Sequence, residues 1–211
     1  MPDTKISALP AGVPLSSDEI PVNQGGVPRK LGAGALVTAL GVTVLHRNLS
    51  TVEVTNSSAE GTLYTFTIPG GTLGPNRVVE LQLGGTYLNN SGATKTLTLR
   101  YKYGATTLYQ DVTATIAASA SLRAFWCELL LGNTGVTNSQ KLSARFHIAA
   151  AGAVTTGVGD IGAVSSVLFG PMYGTSAVDS TLNQALTVTV QHSVANANTT
   201  ISAQVAVLKL L

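Results

Sequence analysis

The 211-residue sequence contains little charge. Asp, Glu, Lys and Arg together make up 10% of it, whereas an ordinary soluble domain has about 25%. The net charge is only +2, which does not supply the dense basic patch that a protein needs to bind nucleic acid through its phosphates. Disorder is also excluded, because a disordered chain combines high charge with low hydrophobicity, and 45% of these residues are hydrophobic.

Cysteine and long apolar runs are scarce as well. Cys127 is the only cysteine, which excludes an internal disulfide framework and a zinc site with several cysteines. The most apolar stretch, residues 33–45, is interrupted by two glycines and two threonines and is shorter than the roughly 18 apolar residues of a membrane-spanning helix. Residues 1–5 lead into a Pro-containing stretch, not into the apolar core of a signal peptide. We therefore expect no membrane partner and assembly in a host cytoplasm.

The N-terminal stretch differs in composition from the rest of the chain. Five of the eight prolines fall within its first 34 residues, and proline excludes a helix interior and a central strand. Apolar residues still recur through it, which is typical of an extended arm that lies on a partner; the alternative is a disordered tail. We expect an attachment arm over residues 1–40. The residues expected to contact its partner are Lys5, Ile6, Leu9, Pro10, Ile20, Val22, Arg29 and Lys30.

From about residue 42 onward, apolar and polar residues alternate with a period of two, which is typical of half-buried β-strands. The alternation is clearest in residues 97–103, 142–148, 186–190 and 201–207. Turn-forming Asn, Gly and Ser residues separate these segments. Eight or more short strands without an amphipathic helix predict an all-β fold, an antiparallel β-sandwich or jelly roll over residues 41–211.

One segment departs from this alternation. Residues 122–131 read LRAFWCELLL, so both faces of the predicted strand are apolar. A strand that is apolar on both faces is covered on both faces, and in a two-layer sandwich the second cover is a loop, the arm or a neighbouring subunit. Together with the low charge, this pattern predicts a homo-oligomer. The residues predicted to form its contact are Phe125, Trp126, Leu129 and Leu130.

Two patterns that suggest a cofactor or a metal have simpler interpretations. Residues 157–162, GVGDIG, match the dinucleotide-binding motif, but strand-like residues follow instead of the helix that this motif requires. We interpret them as a loop. His46, His147 and His192 lie in separate predicted strands without metal-site spacing or an adjacent carboxylate. We expect neither a cofactor nor a metal.

Candidate catalytic and carbohydrate-binding residues also have structural interpretations. Cys127 lies in the most apolar segment, so we expect a buried structural thiol and not a nucleophile. Tyr101 and Tyr103 share the parity of the apolar positions before them, which favours the core over a sugar-stacking platform that would also include Tyr109. We expect no enzyme activity. Glycoside hydrolysis needs two facing carboxylates, and no pair stands out among Glu53, Glu80, Asp111 and Glu128.

Two parts of the sequence resemble a known class of protein. The residues KISALP at 5–10 and DEIPVNQGG at 18–26 resemble a segment common at the start of tailed-bacteriophage virion proteins, on fibres, spikes and head appendages. The residues FTIPGGTLGPN at 66–76 and YLNNSGATKTL at 87–97 are similar to jelly-roll modules of phage structural proteins, many of them trimeric. The resemblance implies a segment that attaches to the virion and a β module that projects from it.

The size of the chain, an arm and one module without a shaft, favours one kind of virion protein. We expect a capsid decoration, or cement, protein that binds and stabilises the capsid surface. Its arm would bind the major capsid protein or another virion protein, and its jelly roll would form a trimer. The alternative is a short head-fibre or tail adaptor that binds host glycans through loop tips near Asn89, Asn133 and Asn196. A third class is a polysaccharide depolymerase.

Overall fold

The structure, a computed structural model, describes residues 19–24, 27–32, 42–149 and 167–211. These residues form thirteen β-strands and no helix. None of them therefore forms an apolar helix that could span a membrane. Strands β1 to β6 are Glu19–Gln24, Val27–Gly32, Thr43–Asn48, Val52–Thr55, Gly61–Ile68 and Val78–Asn89. Strands β7 to β13 are Leu97–Tyr103, Thr106–Val112, Ser119–Asn133, Gln140–Ile148, Val167–Ser176, Gln184–His192 and Thr199–Leu210.

The chain divides into two compact units, Met1–Thr43 and Val44–Leu211. In the first unit, β1 and β2 form an antiparallel pair in which Gln24 lies opposite Val27. The sequence analysis expected one extended segment here, whereas the described part folds back on itself. Each strand of a two-stranded sheet is an edge strand, so the missing backbone donors of Pro21 and Pro28 are tolerated.

The predicted arm residues divide between described and undescribed parts of the chain. Ile20 and Val22 lie in β1, and Arg29 and Lys30 lie in β2. The remaining four predicted contact residues, at positions 5, 6, 9 and 10, lie outside the described residues. The role of the arm stays a prediction.

The second unit is an antiparallel sandwich of two sheets, as the sequence predicted. The large sheet has the order β11-β10-β9-β6-β13-β3, with β4 also paired to β13, and the small sheet has the order β5-β12-β7-β8. Strands β4 to β7 pair in reverse order with later strands: β7 with β8, β6 with β9, β5 with β12 and β4 with β13. One long hairpin rolled into two sheets is the jelly-roll arrangement. Strands β10 and β11 are an addition that widens the large sheet.

The core lies between the inner faces of the two sheets. Leu97, Leu99, Tyr101 and Tyr103 all face inward and are at most 1% exposed, which confirms that the two tyrosines belong to the core. The Tyr101 hydroxyl lies 3.1 Å from Cys127 Sγ of the facing sheet. Burial raises the pKa of Cys127 to about 12, so its thiol stays protonated and it is a structural core residue, as predicted.

Buried polar groups hold the loops at one end of the sandwich. Asn133 Nδ2 donates to Ser180 Oγ at 2.8 Å, and Gln140 Nε2 donates to Asn133 Oδ1 at 2.7 Å. Ser180 Oγ and Gln140 Nε2 also contact the Thr137 carbonyl. Buried polar groups that are fully hydrogen-bonded fix a single arrangement. This network ties the loop after β9 to the chain that follows β11.

His192 lies in the core at another position between the sheets. Its Nε2 donates to the Val54 carbonyl at 3.0 Å, and its ring stacks on Tyr87 with centroids 6.3 Å apart. Its Nδ1 has no hydrogen-bond partner among the described residues. Burial lowers the pKa of His192 below its ordinary value of 6.5, so the folded protein holds this imidazole neutral.

The pKa of His192 predicts how stability depends on pH. Because its pKa is lower in the folded state than in the unfolded chain, protonation favours unfolding. The free energy of unfolding should be independent of this residue above about pH 6.5 and should fall as the pH drops from 6.5 toward the folded-state value. Urea unfolding between pH 7.5 and 5 measures the decline, and H192Q should flatten it. An identical decline in H192Q would show that other groups cause it.

Candidate functional site

Strand β9 separates its side chains strictly by face. The odd-numbered residues 123–131 point into the core, and the even-numbered residues 122–130 point outward from the large sheet. Phe125 is 3% exposed and Leu129 is 0% exposed, whereas Trp126 is 43% and Leu130 is 38% exposed. The predicted subunit contact therefore contains two residues that the core already uses. Of the four, only Trp126 and Leu130 are available to a partner.

One half of this outer face is apolar, and we call it the apolar half: Leu122, Ala124, Trp126 and Val205. In the sheet register, Gly84 of β6 lies between Trp126 on one side and Val205 on the other. A Cβ atom on Gly84 would lie 3.0 Å from Trp126 Cε3 and 3.3 Å from Val205 Cγ1. The missing side chain of Gly84 therefore lets the indole lie across the sheet and join both flanks into one apolar surface.

The other half of the outer face carries charges in pairs. Arg145 Nε lies 2.9 Å from Glu128 Oε2, and Lys209 Nζ lies 3.3 Å from Glu80 Oε2. Gln82 Nε2 donates to the second oxygen of Glu80 at 2.7 Å. Surface ion pairs contribute about 0 to 1 kcal/mol each, so these contacts orient the side chains more than they stabilise the fold.

A groove crosses this charged half over strand β10, and we call it the β10 groove. Its first part, of about 320 Å³, is lined by Glu128, Leu130, Ser143, Arg145 and Pro171 among others. Its second part, of about 270 Å³, shares Leu130 and Ser143 and adds Lys141 and Tyr173. The Tyr173 side chain is 62% exposed. The groove therefore combines an accessible aromatic ring with charged and hydroxyl groups.

The outer face of the small sheet has a different character. Arg100 donates from Nε to Gln110 Oε1 at 2.6 Å and from its second terminal nitrogen to Gln191 Oε1 at 2.9 Å. Glu60 contacts Lys102 and accepts from Thr189 Oγ1 at 2.7 Å. The hydrogen bond from Lys102 lowers the pKa of Glu60. These polar groups are occupied with one another, so the large sheet offers the better surface for a partner.

The structure keeps the histidines apart, and no three His, Cys, Asp or Glu side chains converge as metal ligands within residues 42–149 and 167–211. His46 lies 3.1 Å from the Tyr64 hydroxyl and stacks on Phe66 with centroids 4.7 Å apart. His147 lies opposite Trp126 on the large sheet. The GVGDIG motif at residues 157–162 lies outside the described residues.

The acidic candidates are each engaged with a different neighbour. Glu53 accepts a hydrogen bond from Ser202, and Asp111 accepts one from Tyr109. Glu80 and Glu128 are diagonal neighbours on β6 and β9, and each is bound to a cation as described above. Each of these carboxylates therefore has a structural contact.

Two of the predicted glycan-binding loop positions are structural. Asn89 and Asn133 are 1% and 4% exposed. Asn89 Nδ2 donates to the carbonyls of Ala93 and Ile116 at 2.9 and 3.0 Å. These side chains therefore shape their loops from the inside and are not presented to a ligand, whereas Asn196 is partly exposed.

Comparisons with known proteins identify no family for this chain. No family model matches it, and no curated protein matches it. The CBM2 module of the evolved Dit of Lactobacillus casei BL23 phage J-1 aligns with 69% of this chain and 67% of its own, at 9% identity and a TM-score of 0.30. The Klebsiella pneumoniae alginate lyase aligns over 90% and 91%, at 9% identity and a TM-score of 0.29. A chain in the structure of infectious bursal disease virus, Gx strain, aligns with 97% of this chain and 48% of its own length, at 11% identity and a TM-score of 0.21.

These similarities are too low to assign a function. The TM-scores lie between 0.21 and 0.30 and the identities between 9% and 11%. None of these three structures, the CBM2 module, the lyase or the virus, therefore transfers a role to this chain.

Two adjacent leucines of β9 provide a matched test of the inner and outer faces. L129A removes a fully buried side chain and should lower the free energy of unfolding by about 2–5 kcal/mol. L130A truncates an exposed side chain and should change it by less than about 1 kcal/mol. Chemical denaturation of both variants measures the difference. Equal losses would mean that the outer face of the isolated chain is also covered.

Proposed function

We propose that this chain is a structural protein of a phage-like virion, in which the N-terminal arm attaches to the capsid and the jelly roll assembles with other copies. The observation that carries the proposal is the apolar half around Trp126, an exposed surface on a module whose other outer face is polar. The resemblance of residues 5–10 and 18–26 to virion attachment segments supports the assignment. We propose a capsid decoration protein, located in the virion.

The apolar half has the composition of an interface centre. Such centres are depleted of charge and enriched in aromatic residues, and a polar rim surrounds them. Trp126 provides the aromatic residue, Leu122 and Val205 flank it, and the pairs Glu128–Arg145 and Glu80–Lys209 lie on the same face. A second copy of the chain is the proposed occupant, and a trimer is the proposed assembly.

The arm would act through several weak contacts at once. Each apolar side chain that it buries contributes about 1.5 to 3 kcal/mol, and each peripheral charge contributes about 0 to 1 kcal/mol. Three arms on one oligomer raise the effective concentration of every further contact. We therefore propose that Ile6, Leu9, Ile20 and Val22 matter more for attachment than Lys5, Arg29 and Lys30. This role is one of binding and not of catalysis.

A short head-fibre or tail adaptor remains the alternative within the same class of virion protein. It would use the same arm and the same jelly roll at a different place in the particle. Quantifying the protein against the major capsid protein distinguishes the two. Hundreds of copies in each virion indicate a decoration protein, and about a dozen or fewer indicate a fibre or adaptor.

Assembly through the apolar half is tested by sedimentation. The wild-type chain should sediment at micromolar concentration as an oligomer of its 21.6 kDa subunit, and a variant carrying L122S and W126S should sediment as a monomer. L182S, which changes an exposed leucine elsewhere, is the control and should leave the oligomer intact. A wild-type chain that sediments only as a monomer would refute the proposal.

Attachment through the arm is tested by deletion. A chain without residues 1–34 should fold and assemble but should not bind capsids from which the protein has been removed. In the full-length chain, changing Ile6 and Leu9 to Ser should weaken capsid binding strongly, and K5A should change it little. Co-sedimentation with stripped capsids measures each. Full occupancy by the deleted chain would place attachment on the jelly roll.

A further inference from the structure

We propose that the β10 groove is a binding site for an acidic oligosaccharide, a chain of sugar rings that carries carboxylates. This inference goes beyond the structural role, because it assigns a ligand to the charged half of the large sheet and leaves the apolar half to subunit contact. All the residues that line the groove belong to one chain, so the site does not depend on the oligomer.

The length of the groove favours an elongated ligand. Lys141, Ser143 and Arg145 follow one another at every second position on the outer face of β10. Side chains on one face of a strand are separated by about 6.7 Å, so the two cations stand about 13 Å apart with a hydroxyl between them. A row of this length is longer than one sugar ring and fits several rings of an extended chain.

Apolar groups flank the middle of this row. Ser143 lies opposite Leu130 of β9 on one side and opposite Tyr173 of β11 on the other. The exposed ring of Tyr173 and the exposed side chain of Leu130 therefore border the central hydroxyl. A sugar ring needs this combination, because its C–H face packs on an aromatic or aliphatic surface while its hydroxyls need donors and acceptors.

Within the described residues, the cations of the groove keep donors that no neighbouring side chain uses. Arg145 contacts Glu128 through Nε, and its two terminal nitrogens have no hydrogen-bond partner among residues 42–149 and 170–211. Its side chain is 67% exposed. The contact with Glu128 orients the guanidinium, whose remaining donors match a carboxylate. Lys141 forms no ion pair with the described residues, so the groove has one more cation than anions.

The charge of the groove limits the class of ligand. A nucleic acid is disfavoured, because binding through its phosphates needs a denser row of cations. A neutral sugar would offer no negative charge to Lys141 or to the terminal nitrogens of Arg145. A chain of uronate sugars offers carboxylates to both cations, C–H faces to Tyr173 and hydroxyls to Ser143 and Glu128. Because these groups converge in one groove, they favour a chain of uronate sugars as the ligand.

The test uses the full chain and a galacturonate hexamer as the probe in calorimetric titration. The wild-type protein should bind the hexamer, and affinity should fall with added salt. Y173A and R145A should each weaken binding by about tenfold or more. The matched controls are L182A, an exposed apolar residue elsewhere, and R47A, an exposed cation on β3. Both controls should bind like the wild type, and melting curves should show all variants folded.

Four results would overturn the proposal. The first is that the wild-type chain does not bind the hexamer at millimolar concentration. The second is that R47A loses as much affinity as R145A, which would indicate a diffuse charge effect. The third is that cellohexaose, a neutral chain, binds as tightly as the galacturonate hexamer. The fourth is that oligoglutamate of similar length binds as tightly as the galacturonate hexamer, which would make the groove a site for acidic peptides.

Discussion

The ladder between β6 and β9 determines what the large sheet presents on each of its faces. Its register places Gly84 opposite Trp126 and Gly85 opposite Phe125. The two glycines serve opposite faces: Gly84 makes room for the indole outside, and a Cβ on Gly85 would lie 1.9 Å from the Ser202 carbonyl oxygen inside. A slip by one residue would exchange the faces and would bury the tryptophan. The apolar half, the charged half and the core all depend on this register.

The sequence predicted the class of the fold because period-two alternation is a local signal. The inward positions of Tyr101 and Tyr103 followed from it, as did the structural role of Cys127. The same signal failed in β9, where both faces are apolar and the residue types alone do not reveal which face is inside. It also missed the fold-back between β1 and β2, although Gly25 and Gly26 stand between two runs of alternating residues and are a known hairpin signal.

The β10 groove was not predicted, because it depends on the register and outward faces of three consecutive strands, β9, β10 and β11, which the sequence alone does not show. Glu128, Arg145 and Tyr173 become neighbours only when β10 and β11 extend the large sheet. The buried contacts of Asn133, Gln140 and Ser180 hold the loops at the ends of these added strands. Asn133, which the sequence analysis placed near a ligand-binding loop tip, thus has a structural role, and the proposed groove lies on strands, which position ligand-binding groups more accurately than loops do.

The reverse pairing of the jelly roll also has a consequence for how the protein folds. Strand β13 lies between β6 and the pair β3 and β4, and its contact with β4 joins Thr55 to Thr199, 144 residues apart. Contacts between residues so far apart in sequence form slowly, because closing a large loop costs conformational entropy before the contact can stabilise the fold. A ribosome making this protein must synthesise β13, Thr199–Leu210, before the large sheet can gain this inner strand. Until then, the backbone groups of β6 that pair with β13 have no partner, and an unpaired strand edge is a template on which nascent chains associate.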